Sequence, residues 1–168
     1  MTISMYAASV PVFRQLLSSL SEILTKAETH ATERKIEPAA LLQARLFPDM
    51  FALTRQVQIA ADFAKGACAR LAGAEVPKYD DTEQSFADLR ARLAKTIAFI
   101  DALPPEQING SEAREIHTSA GPNSKTFAGQ AYLTHYALPQ FMFHATTAYA
   151  ILRHNGVEVG KRDFMGKF

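Results

Sequence analysis

Four long segments of this sequence place apolar side chains three and four residues apart, which puts them on one face of an α-helix. Each face needs a partner to be buried, so the pattern predicts an all-α fold: a four-helix bundle made by one domain over residues 1–168. The four faces consist of Phe13, Leu16, Leu20, Ile23 and Ala27; Leu53, Gln56, Ala60, Phe63 and Ala67; Phe86, Leu89, Leu93, Ile97 and Ile100; and Gln140, His144, Thr147 and Ile151.

Capping residues set the predicted ends of these helices. We expect Asp49 to act as the N-cap or first-turn acid of the second helix, and Asp81 to cap the third. Gly156 is expected to end the fourth helix in the left-handed conformation. The predicted helices cover residues 11–34, 49–72, 81–103 and 138–157.

A long irregular connection joins the third and fourth helices and carries several glycine, serine and asparagine residues. Residues 114–118 and 125–127 can pair as a small hairpin, with its turn around Gly121 and Pro122. A connection of this length inside a compact domain is often the edge of a functional site. The alternative is an ordinary surface excursion.

Composition narrows the classes of function. The chain has 18 Lys and Arg against 17 Asp and Glu, so it lacks the basic excess of a nucleic-acid-binding protein. No run is long and apolar enough for a membrane helix, and no secretory leader is visible. The lone cysteine, Cys68, excludes an internal disulfide and is read as an inert buried thiol. We therefore expect a cytoplasmic protein that binds neither nucleic acid nor membrane.

Two runs of the sequence carry a resemblance to a known family. They are AETHATERKIEPAALLQARLFPDMFALTRQVQIAADFAKGACARLAG, residues 27–73, and LPQFMFHATTAYAILRHNGVEVGKRDF, residues 138–164. The chain resembles an uncharacterised bacterial family of unknown function that is grouped with the DinB/YfiT-like helical bundles. The resemblance spans essentially the whole chain.

The resemblance implies a divalent metal, such as zinc or nickel, held by three histidines. One comes from early in helix two and two from helix four, four residues apart; some relatives are thiol-dependent transferases or isomerases. His144 matches the second ligand of helix four, whereas Gln140 stands at the first. Helix two offers Asp49, Leu53 and Gln56 but no histidine, so the sequence departs from the pattern at two of three ligand positions.

If the packing of these relatives holds, several polar residues converge at one end of the core. His30, near the end of helix one, is expected to face the start of helix two. Two histidines and a carboxylate suffice for a transition metal, but a buried hydrogen-bonded cluster is the alternative. The predicted site comprises His30, Asp49, Gln56, Gln140 and His144, with Tyr132, His135 and Tyr136 at its edge.

Two functions from different classes follow. In the first, the protein is a small-molecule-binding protein or an enzyme with a polar pocket at the His30/His144 end. In the second, it is a non-catalytic homodimer that associates through a helix face or its aromatic tail, and its histidines are structural. The residues assign no substrate and no reaction, and they do not decide whether the protein is an enzyme.

Overall fold

A computed structural model describes residues 3–120 and 123–167 of the chain. The described part is mostly helical and contains one two-stranded sheet. The helices are α1 (Val10–Glu33), α2 (Pro38–Leu42), α3 (Leu53–Ala72), α4 (Phe86–Asp101), α5 (Pro105–Ile108), α6 (Gly129–Ala131), α7 (Leu138–His154) and α8 (Lys161–Met165). The strands are β1 (Glu115–Ala120) and β2 (Asn123–Ala128), and a π-helical segment, Tyr132–Ala137, joins α6 to α7.

The four long helices α1, α3, α4 and α7 share one hydrophobic core. α1 and α7 run in the same direction, because Phe13 meets Phe141 near their starts and His30 lies beside Gly156 at their ends. α3 runs opposite to α7, and α4 runs opposite to α1. The direction of α3 is shown by the contacts Gln56–His144 and Arg70–Tyr132. The direction of α4 is shown by the contacts Arg14–Asp101 and Glu28–Arg90.

α3 and α4 therefore point the same way, so the connection between them must return along the length of the helices. Tyr79 in this connection lies under the ammonium groups of Lys65 and Lys95, at 3.7 and 4.2 Å from its ring centroid. The buried guanidinium of Arg92, on α4, binds the connection through Asp81 and Glu83. The connection between α3 and α4 is thus held against the helices by ion pairs as well as by packing.

Some predicted helix ends are confirmed and others are wrong. Gly73 and Gly156 follow α3 and α7 with φ of 70° and 87°, in the left-handed region predicted for Gly156. Asp49 is not a cap: it is exposed, and Ala52 is the N-cap of α3. Asp81 is not a cap either, since Ser85 forms the capping box of α4.

The predicted hairpin is present, which makes the fold mostly helical rather than all-α. β1 and β2 pair antiparallel, with Ile116 opposite Phe127. Ile116 is buried, and the Phe127 ring lies 6.0 and 5.3 Å from the rings of Tyr132 and Tyr136. The predicted turn residues Gly121 and Pro122 lie outside the described residues.

The C-terminal segment folds back onto the long helices. Phe164 packs edge-on against Tyr149 of α7, and Lys26 of α1 binds Asp163 at 2.6 Å. The second phenylalanine of the tail, Phe168, lies outside the described residues. None of the helices in residues 3–120 and 123–167 has the length and apolar content needed to cross a membrane.

Candidate functional site

His144 and Gln56 are the two predicted site residues that the structure brings into direct contact. The antiparallel packing of α3 on α7 sets their side chains opposite each other, and His144 Nδ1 lies 2.7 Å from Gln56 Oε1. The side chains are almost fully buried, with exposures of 8% and 1% respectively. A polar pair at this depth requires a mutual hydrogen bond, since an unsatisfied buried group costs about 1–3 kcal/mol.

His30 does not join this pair, so the predicted convergence of His30 and His144 is wrong. The His30 ring lies beside Gly156, which follows His144 by twelve residues. At 1.5 Å per helical residue this separation is about 18 Å along α7. The reason is the parallel direction of α1 and α7, which places the end of α1 at the end of α7.

Two further predicted residues take different positions. Asp49 is exposed on the connection between α2 and α3. Gln140 is half-buried on α7, one turn before His144 and on the same helical face. Gln140 therefore stays close to His144 along α7.

Gln56 determines which nitrogen of His144 carries the proton. The Gln56 Nε2 group donates a hydrogen bond to the carbonyl of Phe51 at 3.1 Å, which leaves Oε1 directed at the imidazole. An amide oxygen only accepts, so Nδ1 must donate and Nε2 keeps its lone pair. Burial lowers the pKa of His144, and the positive charge of Arg55 lowers it further. The imidazole is therefore neutral at pH 7.

A cleft of about 360 Å³ lies between α3, β1 and the π-helical segment that leads into α7, and we call it the α3–α7 cleft; His144 and Gln56 are not part of its lining. Its lining comprises Arg55, Ile59, Asp62, Phe63 and Arg70 of α3, Thr118 of β1, and Tyr132 and Tyr136 of the π-helical segment. The Phe63 ring stacks on the His144 ring at 6.0 Å with an interplanar angle of 13°. The same ring meets Tyr136 edge-on at 5.9 Å, so Phe63 connects the histidine to the cleft.

The π-helical segment places the two tyrosines on the cleft wall. Leu138 N–H donates to the carbonyl of Leu133, five residues earlier, which widens the helix by one residue per turn. Such segments frequently occur at functional sites. Tyr132 and Tyr136 were predicted at the edge of the site and line the cleft, whereas His135 is exposed and does not.

Arg70 is the polar residue at the other end of the cleft. Its Nη1 donates to the Tyr132 hydroxyl at 3.2 Å and lies directly over Gly66, where a Cβ would clash with it. Glycine inside a helix costs roughly 1 kcal/mol relative to alanine, so this position is used for the close approach of the guanidinium. Burial raises the pKa of the Tyr132 hydroxyl, although Arg70 opposes that shift, and the hydroxyl stays protonated.

Sequence reasoning missed Phe63, Arg70 and Thr118 as parts of this site. Phe63 was assigned to the inward face of the helix, but it is only half-buried and forms part of the cleft wall. The available signal was Gly66 four residues before Arg70, in the middle of a helix that otherwise contains good helix formers.

A known family matches nearly the whole chain. Residues 5–165 match the family described as "Domain of unknown function (DUF1993)". The chain belongs to this family. It is also similar to a DinB family member protein from Shewanella denitrificans of known crystal structure, with 41% identity and a TM-score of 0.89. That similarity covers 97% of this chain and 92% of the other. No curated protein matches the chain.

The residues of this DUF1993 chain do not fit the three-histidine metal centre that the DinB resemblance implies. The two helix-four positions hold Gln140 and His144, and the start of helix two offers no histidine; the amide oxygen of Gln56 in that region already binds His144. Within residues 3–120 and 123–167, no group of three or more His, Cys, Asp or Glu side chains is arranged to hold a metal ion. Cys68 is buried, and burial raises the pKa of its thiol.

The lowered pKa of His144 predicts a pH dependence of stability. The unfolded chain binds the His144 proton at an ordinary pKa of about 6.5, whereas the folded chain binds it only at lower pH. The contribution of neutral His144 is fully present above about pH 6.5 and is lost as the pH falls towards the lowered value. We expect His144→Asn to reduce this acid-side loss, as measured by urea unfolding between about pH 5 and pH 7.5.

The matched control is His135→Asn, which changes an exposed histidine on the segment leading into the same helix. Its stability profile should keep the acid-side loss of the parent protein. Identical profiles for the His144 variant and the parent would contradict the assignment of a buried neutral imidazole.

Proposed function

We propose that this protein binds a small organic molecule that fills the α3–α7 cleft and reaches past the Phe63 ring to His144, which serves as a basic group. The observation that carries the proposal is the imidazole oriented by Gln56, whose Nε2 has no hydrogen-bond partner among the described residues. Nε2 is also absent from the fully buried unpaired atoms of that part of the chain, which fits a nitrogen within reach of solvent. An unprotonated Nε2 accepts a hydrogen bond from a ligand hydroxyl or amide, and it can accept a proton from one.

The shape and composition of the cleft support the same proposal. Its volume of about 360 Å³ falls at the small end of the range for small-molecule sites, and its lining combines aromatic rings with three charged side chains. Phe63 and Tyr136 supply the apolar surface, while Arg70 and the hydroxyl of Tyr132 supply polar contacts at the end away from His144. The π-helical segment shows that the backbone departs from regular geometry at this wall.

A fragment screen followed by NMR tests this proposal. Fragments that bind should shift the resonances of Phe63, Tyr136 and His144 together, and their affinity should fall at least about tenfold in His144→Asn, which is the loss of one good hydrogen bond. The control variant His135→Asn should bind as the parent does. Fragments that bind both variants equally, or that shift only residues elsewhere, would show that the cleft is not the functional site.

A second candidate function is self-association, because a particular apolar surface is exposed. We call the apolar patch the surface formed by Leu46, Phe47, Phe51, Pro139, Met142 and Phe143. Phe47 and Phe143 are 64% and 55% exposed, which is unusual for large apolar side chains. No member of the patch is charged, so two copies can face each other across a two-fold axis without like-charge repulsion. Arg45 and Asp49 lie close to patch residues in the sequence, are exposed and carry opposite charges.

Phe143→Ser tests the homodimer. If the apolar patch joins two copies, light scattering on the parent will give a doubled mass, and the variant will require at least about tenfold higher protein concentration to dimerise. Ile3→Ser is the matched control, since Ile3 is 82% exposed and lies outside the patch. A parent protein that remains monomeric at every concentration, or a variant that dimerises like the parent, would reject this function.

A further inference from the structure

The charges around the α3–α7 cleft point to an acidic ligand. Arg70 lines the cleft, and its hydrogen-bond partner among the described residues is the neutral hydroxyl of Tyr132. No carboxylate within residues 3–120 and 123–167 forms an ion pair with Arg70. A guanidinium has five donors and is always charged, so Arg70 retains donors for a ligand.

The other charged groups that face the cleft are already engaged. Arg55 pairs with Asp81, and Asp62 pairs with Lys65 and Arg92 at 2.9 Å each. The carboxylate of Asp62 is thus neutralised by two cations and does not offset Arg70. The charge left without a counter-charge at this wall is positive, which favours an anionic group on the ligand.

The rings of the cleft favour an aromatic body for that ligand. Phe63, Tyr136 and Tyr132 line the cleft, with neighbouring ring centroids 5.9 Å apart, and Phe127 packs against the two tyrosines at 5.3 and 6.0 Å. A flat ring gains stacking or edge contacts of about 0.5–1.5 kcal/mol on such a surface. The ammonium of Lys125 already lies 5.5 Å from the Tyr136 centroid, which opposes a cationic ligand at the same ring.

We infer that the α3–α7 cleft takes a monocyclic aromatic carboxylate, whose ring contacts Phe63 and Tyr136 and whose carboxylate binds Arg70. The inference rests on the proposed small-molecule function and specifies its ligand class. A planar carboxylate matches the paired donors of a guanidinium, which can bind both of its oxygens. A volume of about 360 Å³ admits one ring with small substituents.

Three probes with the same ring and different charge test the inference: benzoate, benzamide and benzylamine. We expect benzoate to bind the parent protein at least about tenfold more tightly than benzamide. This is the difference in affinity expected from one charge-assisted hydrogen bond. Benzylamine should bind more weakly than either. Binding is measured by NMR titration, with shifts at Phe63, Tyr132 and Tyr136 locating the site.

Variants at Arg70 complete the test. Arg70→Met should abolish the preference for benzoate over benzamide, Arg70→Lys should retain part of it, and the control Arg90→Met, on α4 and away from the cleft, should leave it unchanged. If Arg70→Met fails to fold, the comparison of the three probes on the parent protein still tests the inference.

The outcomes separate the ligand class from the proposed function. The inference of an aromatic carboxylate is wrong if benzamide or benzylamine binds in the cleft as tightly as benzoate. It is also wrong if benzoate binds the parent protein and Arg70→Met equally well. In both cases the cleft still binds small molecules, so the proposed function is retained. The inference is wrong as well if benzoate changes the NMR resonances of no residue in the cleft. The fragment screen with His144→Asn then tests the proposed function independently.

Discussion

Replacing Arg92 by methionine should lower the free energy of unfolding by about 3–5 kcal/mol, the usual result of removing one partner from a buried charge cluster. The Arg92 side chain is 2% exposed and binds Asp62, Asp81 and Glu83 at 2.9–3.0 Å. It also donates to the carbonyl of Asp80 at 3.1 Å. Without the guanidinium, Glu83 is left half-buried with Gln58 as its remaining partner, and three carboxylates lose their shared cation.

The effect should extend beyond the cluster itself. Arg92 joins α4 both to α3, through Asp62, and to the connection that returns along the helices, through Asp81 and Glu83. Asp62 and Arg55 also line the α3–α7 cleft. We therefore expect Arg92→Met to weaken ligand binding in the cleft as well as stability.

Urea unfolding of Arg92→Met and Arg90→Met measures the difference. Arg90 lies on the same helix, and its side chain and that of its partner Glu28 are 26% and 42% exposed; a pair this accessible to solvent contributes about 0–1 kcal/mol. A loss below about 1 kcal/mol in Arg92→Met, equal to that in the control, would mean that the cluster does not hold the connection in place.

The same cluster predicts a loss of stability in acid. Burial raises the pKa of Glu83, but hydrogen bonds from Arg92 and Gln58 outweigh this and leave its pKa below the ordinary value. Its contribution is therefore present above the ordinary carboxylate pKa, and it disappears as the pH falls through the lowered folded-state value. Arg92→Met should remove that part of the acid sensitivity.

Replacing Gly129 by alanine should cost at least about 3 kcal/mol, the upper end of the range for overpacking, because the new methyl group meets backbone. A Cβ at this position would overlap the carbonyl oxygen of Ser111 and lie 3.5 Å from Leu71 Cδ2. The next N–H, of Gln130, donates to the carbonyl of Glu112 at 2.9 Å, so the two segments are held together directly beside the contact. A backbone carbonyl cannot move away as a flexible side chain would.

The position of Gly129 makes this variant informative about function. Gly129 begins α6, three residues before Tyr132 at the start of the π-helical segment. A forced displacement there should move Tyr132 away from Arg70, so the variant should lose affinity for benzoate as well as stability. Gly160→Ala is the control: its φ is −135° and its nearest neighbour would be 4.0 Å away. Its change in stability should stay within about 0.5 kcal/mol, and an equally small change in Gly129→Ala would contradict the predicted overlap.

The predicted caps show where local rules were overridden. Asp49 and Asp81 have the side chains of good N-caps, yet α3 begins after Ala52 and α4 after Ser85. Asp81 instead binds Arg55 and Arg92, residues far from it in sequence. A local capping preference is worth about 1 kcal/mol, so a buried arginine that requires a counter-charge can outweigh it.

The candidate site was likewise predicted in part from local sequence patterns, and the rest of it depended on distant contacts. Helical spacing alone predicted that Gln56 and His144 face the interior, and the structure pairs them. The sequence did not predict that His30 lies at the other end of α7, nor that Arg70 and Phe63 line a cleft. Those positions depend on the relative direction and register of helices, which are set by contacts between distant segments rather than by any residue's neighbours in the chain.

The sequence by itself determined the four long helical segments, the glycine residue that ends α7, and the hairpin, because each follows from steric and hydrogen-bonding rules that act within a few residues. Only the tertiary structure decided that α1 runs alongside α7 while α3 and α4 oppose them, and hence which side chains meet. The physical reason is that an apolar stripe requires burial but does not specify its partner or its direction. That choice is made by the packing of the whole core and by buried charges such as Arg92.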